Sequence, residues 1–456
     1  MKWPATLIAF LAASVHAAPQ DGPPDVILQA QSAYSLPASG PDIVWNFVIP
    51  VSIAKSRYVR AVDIHPRDTR AIRFVRVYVD RMRSERRQEV AAGQGFPGSD
   101  PGIERPLNEP DEGRFLFWKP GEIPYVEPEG FAWRLDPGND LILSAALHPT
   151  GRAEQVKPEI ALYFTDEPQE KFPMLVKMGA GDDFQLPLDA DILAVYPEPG
   201  PSTRAIEAYA MLPGGERRGL LQIPDWNPNR QDVYRFSQSV FLAKGSVISV
   251  RSDAASRLWL QVLPKPDAKT VRGDRRMELE EAVLRHQLEK DPNDFATHFK
   301  IGELRLARLD LGGALETIEE AVRLRPGDPE ARNLLGQDLA ALGRNTEAIE
   351  QFRAALAERP DYQVARYNLA RALVRARKYD EAAAHFEELV RQLPRDAQIR
   401  DELGELYLLH GKPDQAAAMF DQALAIDPHD KVARRNRESP QSEQKEPPLL
   451  PVPAKK

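Results

Sequence analysis

The 456-residue chain contains no cysteine. That excludes disulfides, thiolate nucleophiles, cysteine-ligated metals, haem attached through cysteine and a lipid anchor on an N-terminal cysteine. Beyond the first residues no stretch reaches the about 18 uninterrupted apolar residues that a membrane helix needs. An excess of positive charge is missing too: 60 Lys+Arg stand against 68 Asp+Glu, a net charge of −8, which argues against broad electrostatic binding to nucleic acid. There is no phosphate-cradling glycine loop followed by Lys-Ser/Thr, no His-Glu-x-x-His and no nucleophile elbow. What the chain does have is proline, 41 residues of it, which favours loops, turns and edge strands. With 42% hydrophobic and 28% charged residues it has the composition of a soluble globular protein, long enough for about three domains.

The N-terminus reads as an export signal. Met1-Lys2 gives a short positive end, Leu7 to Ala13 an apolar centre, and Val15-His16-Ala17-Ala18 small residues for cleavage. The expectation is a soluble exported protein, periplasmic or secreted.

The last third repeats. Prolines stand at 292, 326, 360, 394 and 428, each 34 residues after the last. Ile301-Gly302, Leu335-Gly336, Leu369-Ala370 and Leu403-Gly404 keep the same step, as do Ala314, Ala348, Ala382 and Ala416, then Ile318, Phe352, Phe386 and Phe420, and Ala321, Ala355, Leu389 and Ala423. This resembles the tetratricopeptide repeat, two antiparallel helices per unit. Small residues would let the two helices approach, the aromatic or Ile column would fill space against the next repeat, and proline would end the second helix. The reading is a capping helix over 275–294 covering the first repeat, repeats at 295–328, 329–362, 363–396 and 397–430, and a short cap with a disordered tail over 431–456. Stacked repeats form a superhelix whose concave face is lined by the first helix of each pair. The resemblance implies a peptide groove presenting Phe299, Glu303, Asn333, Gln337, Tyr367, Arg371, Asp401 and Glu405, and hence a protein or peptide partner.

The middle loses the helical period. Runs such as 72–79, 140–147, 160–164 and 246–250 are β-branched or apolar and bounded by turn residues. They predict two antiparallel sandwiches, at 43–168 and 169–264, after a linker at 19–42 and before another at 265–274. Several phrases in this region, among them Tyr58-Val59-Arg60-Ala61-Val62-Asp63-Ile64-His65-Pro66, Leu147-His148-Pro149-Thr150-Gly151-Arg152 and Leu220-Leu221-Gln222-Ile223-Pro224-Asp225-Trp226-Asn227, together resemble the paired jelly-roll-like domains of the copper type II, ascorbate-dependent monooxygenases. The fold class expected for the whole chain is therefore multidomain, β + α: two antiparallel β-sandwich (jelly-roll-like) domains and an α-helical solenoid.

That resemblance implies one copper per sandwich, held by a His-His pair and a later His in the first domain and by His-x-His with a Met in the second. This chain has Arg73-Phe74 at the place of the first pair, Ala146 at the later histidine, Glu198-Pro199-Gly200 at the His-x-His and no Met within 251–257. Two such sites need five histidines, and the β region holds only His65 and His148. An arginine stays protonated and has no lone pair for a metal. Met174, Met178, Trp226 and Tyr234 read as core. The run 55–87, with eleven Lys/Arg against four Asp/Glu, reads as the wet face of strands. The expected function is a non-catalytic exported scaffold without metal or cofactor. A copper- and ascorbate-dependent monooxygenase with displaced ligands is the alternative, and a secreted carbohydrate-binding sandwich a third.

Overall fold

The computed structural model describes residues 22–66, 70–81, 83, 85–91, 93–98, 116–121, 124–200, 202–227, 232–266 and 272–438. The expected export signal, residues 267–271 of the linker expected at 265–274, the side chain of His65 and the tail beyond 438 lie outside the described residues. The chain divides after Val283 into two compact units, taken in turn.

In the first unit, strands β1 (Val26–Gln29), β2 (Tyr34–Leu36), β3 (Ile43–Pro50), β4 (Arg57–Pro66), β5 (Ile72–Asp80), β6 (Phe96–Pro97), β7 (Leu116–Trp118), β8 (Tyr125–Val126), β9 (Trp133–Leu135), β10 (Asp140–Leu147), β11 (Glu154–Val156) and β12 (Pro158–Thr165) come first. They make two five-stranded antiparallel sheets, β1-β12-β4-β8 with β9 also on β4, and β6-β3-β10-β5-β7, plus the small pair β2-β11. The stretch 19–42 is therefore more than the expected linker. Leu28 and Leu36 bury their side chains, so β1 and β2 join the sheets.

Strand β10 is buried at all eight positions, because both of its faces are covered. Leu141, Leu143, Ala145 and Leu147 enter the main core with Phe47, Val75, Trp133 and Leu162, while Ile142 packs on the other face with Val48, Tyr78 and Phe96. A strand covered twice reads as a continuous apolar run, as this one does. Its one charge, Asp140, is fully buried and takes a two-pronged contact from Arg86 at 2.5 and 2.6 Å.

The second sandwich comprises β13 (Met174–Gly179), β14 (Asp183–Gln185), β15 (Ala190–Glu198), β16 (Ile206–Met211), β17 (Arg217–Ile223), β18 (Tyr234–Leu242), β19 (Val247–Ser252) and β20 (Arg257–Pro264). The sheets are β13-β20-β15-β18 and β14-β19-β16-β17, all antiparallel. Here the alternation is clean: Met174, Val176 and Met178 point inward from β13, and Ile206, Ala208 and Ala210 from β16. Both methionines and Trp226 are buried, and Tyr234 packs against the core, as their residue types led us to expect. Helix α1 (Arg272–Lys290) follows. Its Leu279, Ala282 and Val283 belong to this sandwich's apolar cluster. The first half of the helix is thus an element of the β unit, where the sequence suggested a lid on the first repeat.

The second unit is a run of helices: α2 (Phe295–Ala307), α3 (Leu311–Leu324), α4 (Pro329–Ala341), α5 (Asn345–Glu358), α6 (Gln363–Arg375), α7 (Tyr379–Gln392), α8 (Ala397–Leu409), α9 (Pro413–Ile426) and the short α10 (Lys431–Glu438). Starts of like helices are 34 residues apart. Asp294, Asp310, Asp328 and Asp396 cap α2, α3, α4 and α8 through their carboxylates, satisfying amides that the first turn leaves free. The small columns have the anticipated cause. A Cβ on Gly302, Gly336 or Gly404 would lie 2.4–2.6 Å from Ile318, Phe352 or Phe420 of the same repeat. The aromatic column therefore closes its own helix pair, where it was expected to fill space against the next one. Ala433 of α10 is fully buried in the same cluster, so α10 supplies the short cap.

Candidate functional site

The first helix of each pair, α2, α4, α6 and α8, carries the eight residues that the repeat resemblance implies for a groove. Six of them, Phe299, Glu303, Gln337, Tyr367, Arg371 and Glu405, are half-buried, whereas Asn333 and Asp401 are buried at 4% and 6% exposure. Phe299 stacks on Phe295 at 5.9 Å, and Glu303 takes Lys300 at 3.4 Å. The Asn368 side-chain amide donates to the Asn333 Oδ1 at 2.9 Å, tying α6 to α4.

Tyr367 links the last two pairs. Its hydroxyl donates to Glu402 at 2.7 Å, its ring meets the edge of Phe386 at 6.0 Å, and the Arg371 guanidinium lies 5.7 Å from its centroid. Burial, with Glu402 alongside, raises the Tyr367 phenol. The end of the face is acidic. Asn436 of α10 donates to Glu405 at 3.0 Å. Burial pushes the Asp401 carboxyl up to about 8, reinforced by Asp430, Glu405 and Glu402, and burial raises Glu405 as well. Periodicity alone missed Glu402 and Asp430. Glu402 follows the position of Asp401 by one residue, and Asp430 stands in the helix-capping column of Asp294, Asp328 and Asp396.

A second arrangement lies between the two sandwiches. Phe74 stacks on Phe117 at 5.4 Å, Phe117 meets Tyr196 at 6.2 Å, and Arg76 lies 5.0 and 4.9 Å from the centroids of Phe74 and Tyr196 and donates to the Tyr196 hydroxyl. Ala194, Val233 and Trp259 complete the cluster, with Leu175 beside it. Apolar and aromatic side chains thus fill the seam, with Arg76 against Phe74 and Tyr196 and Lys177 5.1 Å from the Trp259 centroid.

The positions at which copper ligands were considered fall here and nearby. Phe74 of β5 and Ala146 of β10 are direct cross-strand partners, and the register shifts at a bulge between Phe74 and Ile72. Arg73 is exposed and ion-pairs with Asp42 at 2.8 Å, whereas Phe74 packs against the aromatic cluster. Glu198 accepts from the Trp259 indole at 3.3 Å. At Gly200 a Cβ would stand 2.0 Å from the Ala255 carbonyl oxygen, so no ligating side chain fits without moving backbone. His148 lies at a strand end, its amide bonded to the Ala71 carbonyl at 2.9 Å. The residues present do not fit a type II copper pair: one position is a cation, one an aromatic ring, one a methyl, one a carboxylate bonded to the Trp259 indole, and one has no room. Among the described residues no group of three or more His, Asp or Glu is arranged to hold a metal ion, and no helix is long and apolar enough to cross a membrane. The basic run 55–87 is engaged with its own fold: Arg60 bonds the Phe164 carbonyl at 3.1 Å, and Arg86 bonds Asp140.

The tetratricopeptide repeat family matches residues 299–362 and 367–431, and the C-terminal region is accordingly a run of tetratricopeptide repeats. No curated protein matches the chain. Among solved structures, YrrB, described as a TPR protein with an unusual peptide-binding site, is 21% identical over 36% of this chain and 86% of its own, with a TM-score of 0.34. MamA from Desulfovibrio magneticus RS-1 is 20% identical over 34% and 90%, at 0.33. PilW, a type IV pilus biogenesis factor, is 21% identical over 35% and 74%, at 0.32.

Proposed function

We propose that the chain is an exported, non-catalytic scaffold that holds a partner polypeptide on its repeats. In this reading the β pair is a copper-free relative of the ascorbate-dependent monooxygenase sandwiches and serves as a rigid second surface. The observation that carries the proposal is the run of four helix pairs whose first helices bring half-buried aromatic, amide and charged side chains to one face. Such side chains can hydrogen-bond an extended backbone and pack its side groups while the pairs beneath stay rigid. Export rests on the Met1 to Ala18 pattern. Loss of catalysis rests on the donor set: Arg73, Phe74, Ala146, Glu198 and Gly200 offer no imidazole, and Gly200 has no space for one.

The test is capture by the full-length protein from the exported fraction. A discrete polypeptide should be retained by the wild type and lost with Gln337→Ala/Tyr367→Ala; retention by both removes the face from the reading. Copper titration decides the rest. Binding tighter than about micromolar, with a Cu(II) resonance showing nitrogen ligands, would overturn the copper-free assignment.

A further inference from the structure

The helix face carried by α2, α4, α6 and α8 changes character along its length. α2 and α4 contribute Phe299, Glu303, Asn333 and Gln337, whereas α8 contributes Asp401, Glu402 and Glu405 within about one turn, with Asp430 adjoining from the start of α10. Three of these carboxylates have donors of their own: the Tyr367 hydroxyl for Glu402, Asn436 for Glu405, and the amides of Val432 and Ala433 for Asp430. Asp401 is different. It is only 6% exposed, a hydrogen bond with the Asp430 carboxyl helps it to hold its proton, and its Oδ1 has no hydrogen-bond partner among the described residues. Two cations, Arg371 of α6 and Arg435 of α10, bear on Glu405.

Resting on the reading of the repeats as a polypeptide-binding surface, we infer that this end of the face receives a lysine or arginine side chain of the bound segment between Asp401, Glu402 and Glu405. The occupant is a cationic segment because the face meets it with four carboxyl groups and one buried oxygen still lacking a donor. An ammonium or guanidinium supplies that donor and neutralises the cluster. In the free protein a proton does this work. Crowded by Asp430, Glu405 and Glu402 in a buried position, Asp401 holds its proton up to about pH 8.

Entry of a cation therefore displaces that proton, and the two compete. Below about pH 8 the free protein must give up a proton on binding, so affinity for a cationic segment rises with pH, by up to about tenfold per unit, and levels off above. Lys and Arg do not titrate in this range, so the slope reports the protein.

The test uses the full-length chain and a displayed library of randomised 12-residue peptides at pH 8.5. Selected sequences should be enriched in Lys or Arg. Fluorescein-labelled versions should bind at least about tenfold more tightly at pH 8 than at pH 6, and lose that advantage when the basic residue becomes Gln. Asp401→Asn should flatten the pH slope with far-UV circular dichroism unchanged; the wild-type slope alone decides the matter if that variant does not fold. Enrichment without cationic bias, or a pH-independent wild-type affinity, overturns the inference and leaves polypeptide binding standing. No enrichment over the starting library refutes polypeptide binding itself.

Discussion

Asp338 lies at a position of the first repeat helix where the other repeats carry Leu304, Ala372 and Leu406. It is fully buried, and neither carboxylate oxygen has a hydrogen-bond partner among the described residues. Burial raises it from 3.8 to about 6; Arg344 opposes the shift, and Asp310 and Glu319 add to it. A carboxyl whose folded pKa exceeds its unfolded value favours the fold while protonated. Its contribution is therefore complete below pH 3.8, declines as pH rises to about 6, and stays lost above. At about 1.4 kcal/mol per pH unit this gap amounts to about 3 kcal/mol. Asp338→Leu abolishes the titration. Relative to wild type it should gain about 2–3 kcal/mol more at pH 7.5 than at pH 4, read from urea unfolding of the helices at 222 nm. Any overpacking by leucine, about 1–3 kcal/mol, is the same at both pH values and drops out of the comparison. An equal difference at both would mean that Asp338 is ionised in comfort, and the argument from burial would fail.

Two further changes test the repeat packing. Gly336→Ala should destabilise the helices by up to about 2 kcal/mol. The new methyl would sit 2.5 Å from the buried ring of Phe352, an overpacking cost of about 1–3 kcal/mol that exceeds the about 1 kcal/mol gained in helix propensity; a net gain in unfolding midpoint would refute it. Leu309→Gly and Arg377→Gly should each stabilise by about 1 kcal/mol, because both residues hold left-handed φ values of 60° and 59° in turns where the other repeats place Gly343 and Gly411. Leu309 is 78% exposed and surrenders little packing, so a lower midpoint for Leu309→Gly would count against strain at the turn.

The repeats were legible because one constraint recurs: Ala314, Ala348, Ala382 and Ala416 are all fully buried, and a requirement stated four times at a fixed interval stands out from composition. The left-handed column at 309, 343, 377 and 411 was not legible, since two of its four members are not glycine and only the backbone shows what they share. The same limit governed the candidate site. Position in the repeat identified Asn333 and Asp401 as members of the face, but their burial depends on Asn368 and α10, which approach from neighbouring elements. Strands β1 and β2 escaped notice for a related reason. At four and three residues they are too short for alternation to register, and partners more than a hundred residues away stabilise them.

In the β half the missing histidines could be counted from the sequence, but the two regions where they were sought differ in kind. Phe74 and Ala146 face each other across β5 and β10, a spacing at which paired side chains interact directly. One of them now contributes a ring to the seam with Phe117, Tyr196 and Trp259. An imidazole placed there would exchange apolar burial for a polar group that needs its own partner. At Gly200 the obstacle is backbone, since the Ala255 carbonyl occupies the space of any side chain. The first region is filled by side chains and the second is closed by the main chain. Side-chain substitution alone can change the first, whereas a side chain at position 200 requires the turn around Ala255 to move.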